Sequence, residues 1–278
     1  ISDGKPGHVN QALGLAEALA RKVPSEIVTL RALPAWRAWR AWLLKRFPTP
    51  PLPSPALIVG AGHATHMSLL AARRARGGRT VVLMKPSLPR HCFDLCILPR
   101  HDRVAADART LVTEGALNRI RPSTAPDLHR GLLLIGGVSP HFEWDSNVVR
   151  MQIESILTRT PDMHWTLTTS RRTPADFLTH LPSSPNLTIV SHTATSPDWL
   201  PGQLARSNTV WVTPDSASMV FEALTAGATV GVLDLPAHPK SHVGQAIAQL
   251  ADAQRITHFA DWRANGTLLP NLQPLAEA

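Results

Sequence analysis

The chain has 278 residues, 44% of them hydrophobic and 17% charged, a balance that excludes a disordered protein and leaves room for two domains of ordinary size. Its formal net charge of +8 points to acidic partners, namely nucleotide phosphates, anionic lipid or nucleic acid, of which nucleic acid is not expected, although a GC-rich gene would produce the same surplus of Arg. No apolar run approaches the roughly 18 residues of a membrane span. No secretion signal is visible, and Cys92 and Cys96 make no disulfide framework, so a cytoplasmic setting is expected.

The chain opens at a turn, which predicts that a strand, or most of one, precedes Ile1. Ser2-Asp-Gly-Lys-Pro-Gly-His-Val-Asn10 then leads into a helix over Gln11 to Lys22, with Leu13, Ala16, Leu19 and Ala20 on one face. Ile27 to Leu30 reads as a strand. From Ala35 to Phe47 the helical spacing places Trp36, Trp39, Leu43 and Phe47 along one side, flanked by Arg37, Arg40 and Lys45. That pattern fits a helix lying on an anionic membrane surface, and equally a helix packed on a sheet with its arginines snorkelling. Strands follow at Ala56 to Gly60, Thr80 to Met84 and Asp94 to Leu98, with a helix from about Thr65 to Arg76.

Arg121 to His129 holds two prolines and little that could pack, which predicts a linker and two domains, 1–125 and 126–278. A second series begins with a strand at Leu132 to Ile135 and a helix capped by Asp145. It continues with a strand at Trp165 to Thr169, a helix opened by Thr173-Pro174 and a strand at Leu187 to Val190. The stretch from Thr209 to Leu235 reads as strand, tight turn, helix capped by Asp215 or Ser216, Gly227 stop and a second strand. A last helix spans about Val243 to Ala253. Alternating strands and helices predict an α/β fold of two Rossmann-like domains with parallel sheets.

In parallel sheets, ligands bind beyond the carboxyl ends of the strands. Four turns occupy that edge in the second half: Gly136-Gly137 with Ser139, Ser170-Arg171-Arg172, Ser191-His192-Thr193, and Pro214 to Ser218 with Asp215 and Ser216. Glycines let backbone N–H groups reach phosphate oxygens, and arginine forks grip them. Glu222, about a turn into the helix, is placed to accept from ribose hydroxyls. In the first half, Asp3 and His8 lie in the opening loop, where a histidine suits general-base work; Lys85 ends another strand and joins the candidate set. His63 and His66 sit three apart, but a third and fourth ligand are not evident, so no metal is expected. No ATP-binding loop, Asp-x-Asp clamp or nucleophile elbow is present.

Five stretches resemble the Elm (elongated mitochondria) fission family. They are Asp3-Gly-Lys-Pro-Gly-His-Val-Asn-Gln-Ala-Leu-Gly-Leu-Ala-Glu17; Lys85-Pro-Ser-Leu-Pro-Arg90 with Phe93-Asp94; Ile135-Gly-Gly-Val-Ser-Pro-His-Phe-Glu-Trp-Asp145; Thr168-Thr-Ser-Arg-Arg-Thr-Pro174; and Val212-Thr-Pro-Asp-Ser-Ala-Ser-Met-Val-Phe-Glu222. Lys85 stands where glutamine is common in relatives, and Phe221 where a small polar residue is usual. The resemblance implies a GT-B glycosyltransferase-like architecture, two Rossmann-like domains facing across a cleft, with a nucleotide sugar on the second domain. The expected activity is metal-independent sugar transfer to a membrane-associated acceptor, with no separate cofactor and with His8 or Asp3 as the base. Two other readings stay open: a non-catalytic membrane adapter, as the family's name implies, and a nucleotide-sugar epimerase, which would need acid–base residues around the sugar itself.

Overall fold

The computed structural model describes residues 1–48, 50, 52–102 and 104–271. The chain forms two compact units, one from Ile1 to Arg119 and one from Ile120 on.

The first unit contains helix α1 (Pro6–Lys22), helix α2 (Ala35–Leu43), strand β1 (Leu57–Ala61), helix α3 (His66–Arg76), and strands β2 (Arg79–Leu83), β3 (Leu95–Pro99) and β4 (Thr110–Thr113). The four strands make one parallel sheet in the order β1-β2-β3-β4. Helix α1 starts five residues earlier than the apolar spacing indicates, because Pro6 fits the first turn, where its missing N–H is not needed. Gly14 belongs on the buried side of α1, since a Cβ there would collide with the backbone carbonyl of Asn118. Between α3 and β2, Gly77 and Gly78 both take positive φ and reverse the chain. The side chain of Asp94 accepts from the Thr80 amide and hydroxyl, both at 2.8 Å, which ties the start of β3 to β2.

Helix α2 packs on α3, burying Ala38 and Ala41, whose small side chains suit close packing. The Arg74 guanidinium stacks 4.3 Å over Trp42 on that side. Trp36, Trp39 and Leu43 point away, at 62%, 54% and 70% exposure. Phe47 departs from the expected stripe. The helix ends at Leu43, Lys45 takes a positive φ, and the chain turns Phe47 into the core.

Ile27 to Leu30 is extended but belongs to no sheet, against the strand expected there. Strand β4, which the sequence reading did not anticipate, is four residues at the edge of the sheet. So short a segment carries little periodicity.

The second unit contains β5 (Asp127–Leu134), α4 (Ser146–Arg159), β6 (His164–Thr168), β7 (Leu187–Val190), α5 (Trp199–Leu204), β8 (Ser207–Val212), α6 (Ala217–Ala226), β9 (Thr229–Val232), α7 (His242–Asp252), β10 (Thr257–His258) and α8 (Phe259–Asn265). All six strands are parallel, in the order β10-β9-β8-β5-β6-β7. The chain runs outward from β5 to β7, returns beside β5 as β8, and runs outward the other way. This is a doubly wound Rossmann-type sheet whose winding reverses between β5 and β8.

The expected linker is partly absorbed here. Ile120 joins the core, Ser123 bonds to the Ala226 and Ala205 carbonyls at 2.8 and 2.6 Å, and β5 begins at Asp127. The polar start of β5 concealed it, since Leu128 lies exposed and only Gly131 to Leu134 are buried. The helix expected at Thr173-Pro174 is absent. That stretch is a series of turns leading to a short 3-10 helix at Leu178–His180, because Thr173 turns its side chain back onto β5 instead of capping.

Two glycines seat indoles across the sheet. Trp165 lies where a Cβ on Gly131 would sit, and Trp211 does the same at Gly231. Around them Leu132, Leu133, Leu134, Val210, Val212 and Val230 are fully buried, as a strand covered on both faces requires.

Candidate functional site

The carboxyl ends of β5, β6 and β8 converge on the carboxylate of Asp215, whose side chain is 0% exposed. Its Oδ2 accepts from the Gly137 amide at 3.1 Å and pairs with the Arg172 guanidinium at 2.8 Å. The Gly136 amide donates to the Thr213 hydroxyl at 2.7 Å. From the β6 side, the Ser170 hydroxyl donates to the Gly136 carbonyl at 2.9 Å, Thr173 bonds the same carbonyl, and the Val138 amide donates to the Arg172 carbonyl at 3.1 Å.

The glycines are required by space. A Cβ on Gly136 would overlap the Asp215 carboxylate, and one on Gly137 would overlap the backbone of Arg172 and Thr173. Three turns distant in sequence are therefore locked into one cradle at the point where the sheet's winding reverses. Burial pushes the Asp215 carboxyl above its usual range, against the opposing pull of Thr213, Arg172 and Gly137.

Asp215 does not cap α6, one of the two roles expected for it there, and is the hub of the cradle. Ser216 holds the N-cap position of α6 without a side-chain cap bond. By contrast, Asp145 caps α4 by accepting from the amides of Asn147 and Val148, and Ser241 caps α7 by accepting from Gly244. The first turn of α6 thus keeps its amides free of side-chain caps beside the cradle, with Ser218 exposed on it. Glu222 lies further along α6 and is buried. Arg171 is exposed next to the engaged Arg172. Ser139 accepts from the His141 amide at 3.2 Å. The fourth turn connects through His192, whose ring Nδ1 lies 3.2 Å from the Thr169 hydroxyl.

The sequence reading missed one neighbour of this cradle. The rings of His141 and His242 meet edge to face at 4.7 Å, and the His238 amide donates to the His141 carbonyl. Burial, then the charges of His242 and Arg172, hold the His141 imidazole below its ordinary value. His141 falls inside the Gly-Gly-Val-Ser-Pro-His motif, which was the available signal.

In the first unit, the opening loop arranges Asp3 and His8 as a pair, with Oδ2 2.9 Å from Nδ1. Burial raises the Asp3 carboxyl, but the Lys5 amide and His8 outweigh it and hold it below the usual carboxylate range. The carboxylate engages Nδ1, so Nε2 is the ring nitrogen outside this pair. Gly62, at φ 81°, lies against the His8 ring so closely that a Cβ would occupy the ring's position. Lys85 is exposed after β2, its amide donating to Asp102 at 3.0 Å.

His66 is buried, with Nδ1 3.1 Å from the Ser87 hydroxyl, its ring edge against Phe93, and Nε2 without a partner. Burial, then the nearby His63, push it down to about 4. Among the described residues no group of three or more His, Cys, Asp or Glu could hold a metal ion, and no helix is long and apolar enough to cross a membrane.

The family model for mitochondrial fission ELM1 matches residues 6–278. The chain belongs to the mitochondrial fission ELM1 family. No curated protein matches it in sequence. Among solved structures, this family member is similar to a putative UDP-N-acetylglucosamine 2-epimerase from Listeria monocytogenes, at 10% identity and a TM-score of 0.52, over 90% of this chain and 76% of that one. It is also similar to MurG from Acinetobacter baumannii, at 16% identity and a TM-score of 0.47, over 94% and 84% of the two chains. A third is the pneumococcal O-GlcNAc transferase GtfA in complex with UDP and GlcNAc, at 9% identity and a TM-score of 0.38, over 83% and 55%. The fold is α/β with two parallel sheets, and the likeness to the Listeria protein is one of fold.

Proposed function

We propose that this ELM1-family chain is a metal-independent glycosyltransferase that uses a nucleoside-diphosphate sugar. The observation that carries the reading is the cradle at the β5/β8 reversal, where the glycine turns and Arg172 are held on Asp215 beside the uncapped start of α6. The diphosphate lies over the Gly136-Gly137 turn and the first amides of α6, with Arg171 neutralising charge on the departing nucleoside diphosphate. Arg172, fixed by Asp215, orients the turn and lends its remaining donors. Ser139, Ser170, Ser216 and Ser218 supply hydroxyls, and Glu222 accepts from the ribose. On the first unit, His8 takes the proton from an acceptor hydroxyl while Asp3 holds the ring, and Lys85 contributes positive charge toward the acceptor.

The exposed Trp36, Trp39 and Leu43 with Arg37 and Arg40 bring the protein to an anionic membrane surface carrying that acceptor. No Asp or Glu lies between Arg31 and Pro48 to oppose this attraction. The same face would serve a non-catalytic adapter, which needs no nucleotide. Calorimetric titration with uridine diphosphate and related nucleoside diphosphates separates the two readings. Binding is expected, weakened about tenfold or more by Arg171→Ala. Heatless titrations across all nucleoside diphosphates would refute the transferase.

A further inference from the structure

Three histidines beside the cradle take no part in the transfer proposed for it. His141 lies on the loop after β5, four residues beyond Gly137, while His238 lies on the loop after β9 and His242 opens α7. The two loops are zipped together. The Glu143 amide donates to the Pro236 carbonyl at 2.8 Å, the His238 amide donates to the His141 carbonyl at 3.0 Å, and Phe142 pairs with Ala237 in the antiparallel sense. Phe142 is buried, and successive side chains of an extended segment alternate sides, so this anchor turns His141 away from the core. The His141 amide donates to the Ser139 hydroxyl at 3.2 Å, which fixes the backbone on its other side. The ring then meets that of His242 edge to face at 4.7 Å.

Charge in this corner is weighted towards the positive. His141 is close enough to Arg172, Asp215, His238 and His242 to feel each of them, and Glu143 on its own loop is exposed. The Asp215 carboxylate is already engaged by Arg172 at 2.8 Å and by the Gly137 amide at 3.1 Å. Arg171 and Lys240 add exposed cations on the turns that carry Arg172 and His238. Burial, then His242 and Arg172, keep the His141 ring neutral near pH 7. An arriving phosphate reverses that balance, because a nearby negative charge favours the protonated imidazole. A terminal phosphate carries about −1.5 to −2 charges at pH 7 and offers strong acceptor oxygens. His242 limits the gain to one proton, since two imidazolium charges at that separation repel.

We propose that His141 binds the terminal phosphate of a nucleoside diphosphate as an imidazolium, taking up one proton as the nucleotide arrives, with His242 as the positioning residue that holds its ring. His141 has this role only with a nucleotide in the cradle, and so rests on that reading of the site. The second unit then discriminates by charge. A diphosphate drives the uptake, whereas a monophosphate seated on the Gly136-Gly137 turn and the start of α6 leaves His141 neutral. Affinity depends on pH in one sense. The complex holds the His141 proton more tightly than the unliganded protein does, so binding is strongest at low pH and weakens as pH rises through the range where the complex loses that proton.

Calorimetric titration with uridine diphosphate, run at about pH 7.5 in two buffers of different ionisation enthalpy, counts the protons. The terminal phosphate is itself ionised there, its second pKa being about 6, so the count reports on the protein. Uptake of roughly 0.5–1 proton per nucleotide is expected. His141→Gln should abolish the uptake and weaken binding about tenfold, while melting within about 2 °C of the wild type. Uridine monophosphate should bind with no uptake. The wild-type affinity for uridine diphosphate should fall roughly threefold or more from about pH 7 to 8.5, and His141→Gln should flatten that slope. In NMR of the unliganded protein, His242→Gln should raise the titration midpoint of the His141 ring, because it removes a cationic neighbour. Uridine diphosphate that binds without proton uptake, or an uptake that persists in His141→Gln, would overturn the role of His141 and leave the cradle as a nucleotide site. Equal uptake with the monophosphate would overturn the assignment to the terminal phosphate. Failure of every nucleoside diphosphate to bind would overturn both the cradle and His141.

Discussion

Replacing Gly137 with alanine tests whether the three-turn cradle is as tightly built as its contacts indicate. The added Cβ would overlap the backbone carbon and oxygen of Arg172 and the Thr173 nitrogen, so no side-chain rotation relieves it. The β5 and β6 turns must part. That breaks the Val138 amide bond to Arg172 and the Gly137 amide bond to Asp215, both 3.1 Å. At about 1–3 kcal/mol for the buried Gly137 amide left unpaired and about 0.5–1.5 kcal/mol for the bond of the exposed Val138, the loss is roughly 1.5–4.5 kcal/mol. At about 2–4 °C per kcal/mol for a unit of this size, Tm falls by roughly 3–18 °C. Gly7→Ala is the matched control. Gly7 lies in α1 with open space where a Cβ would go, so alanine there is neutral or adds up to about 1 kcal/mol through helix propensity. Scanning calorimetry of both variants, followed by nucleotide titration, reads the result. A Gly137→Ala protein that melts with the wild type and keeps its nucleotide affinity would refute the cradle.

Three other outcomes are expected. Gly62→Ala forces the His8 ring off Asp3, so transfer falls about 100-fold while nucleotide binding by the second unit is retained; unchanged His8 ring nitrogen shifts in NMR would contradict this. His66 takes its proton near pH 4 when folded and near 6.5 when unfolded, so the unfolded chain gains protons first as pH drops. Its contribution is complete above about pH 6.5 and lost on descending toward 4, by up to about 3 kcal/mol; His66→Leu should flatten that part of the urea-unfolding profile, and an identical slope would disprove it. Trp39→Ala should weaken flotation with anionic liposomes at low salt without changing stability, because the side chain is half exposed; a wild-type protein that stays off such liposomes would remove the membrane role.

Much of the second unit was legible because its strands are continuous apolar runs between turn residues, as at Thr209 to Val212 and Leu132 to Leu134. The N-cap Asp145 and the Gly227 stop, which adopts φ 85°, could likewise be read directly. Local pattern failed where tertiary partners decide. Ile27 to Leu30 has strand composition but joins no sheet, although the Ser2 amide donates to the Leu30 carbonyl at its end. Thr173-Pro174 has a helix-start signature, yet Thr173 bonds to the end of β5 instead. That Gly136, Gly137, Ser170 and Arg172 share one edge was identifiable from turns at strand ends. The role of Asp215 was not, because a carboxylate after a strand looks the same whether it caps its own helix or anchors a turn 78 residues away in sequence.

The placement of the indoles gives the protein two separate optical signals. Trp165, Trp211 and Trp262 are dry, and their emission should lie to the blue and shift red only when the second unit opens. Trp36 and Trp39 face water and should emit to the red, moving the other way if a lipid surface covers them. Unfolding of one unit and adsorption by the other would therefore push the same spectrum in opposite directions, so a single unlabelled sample reports both.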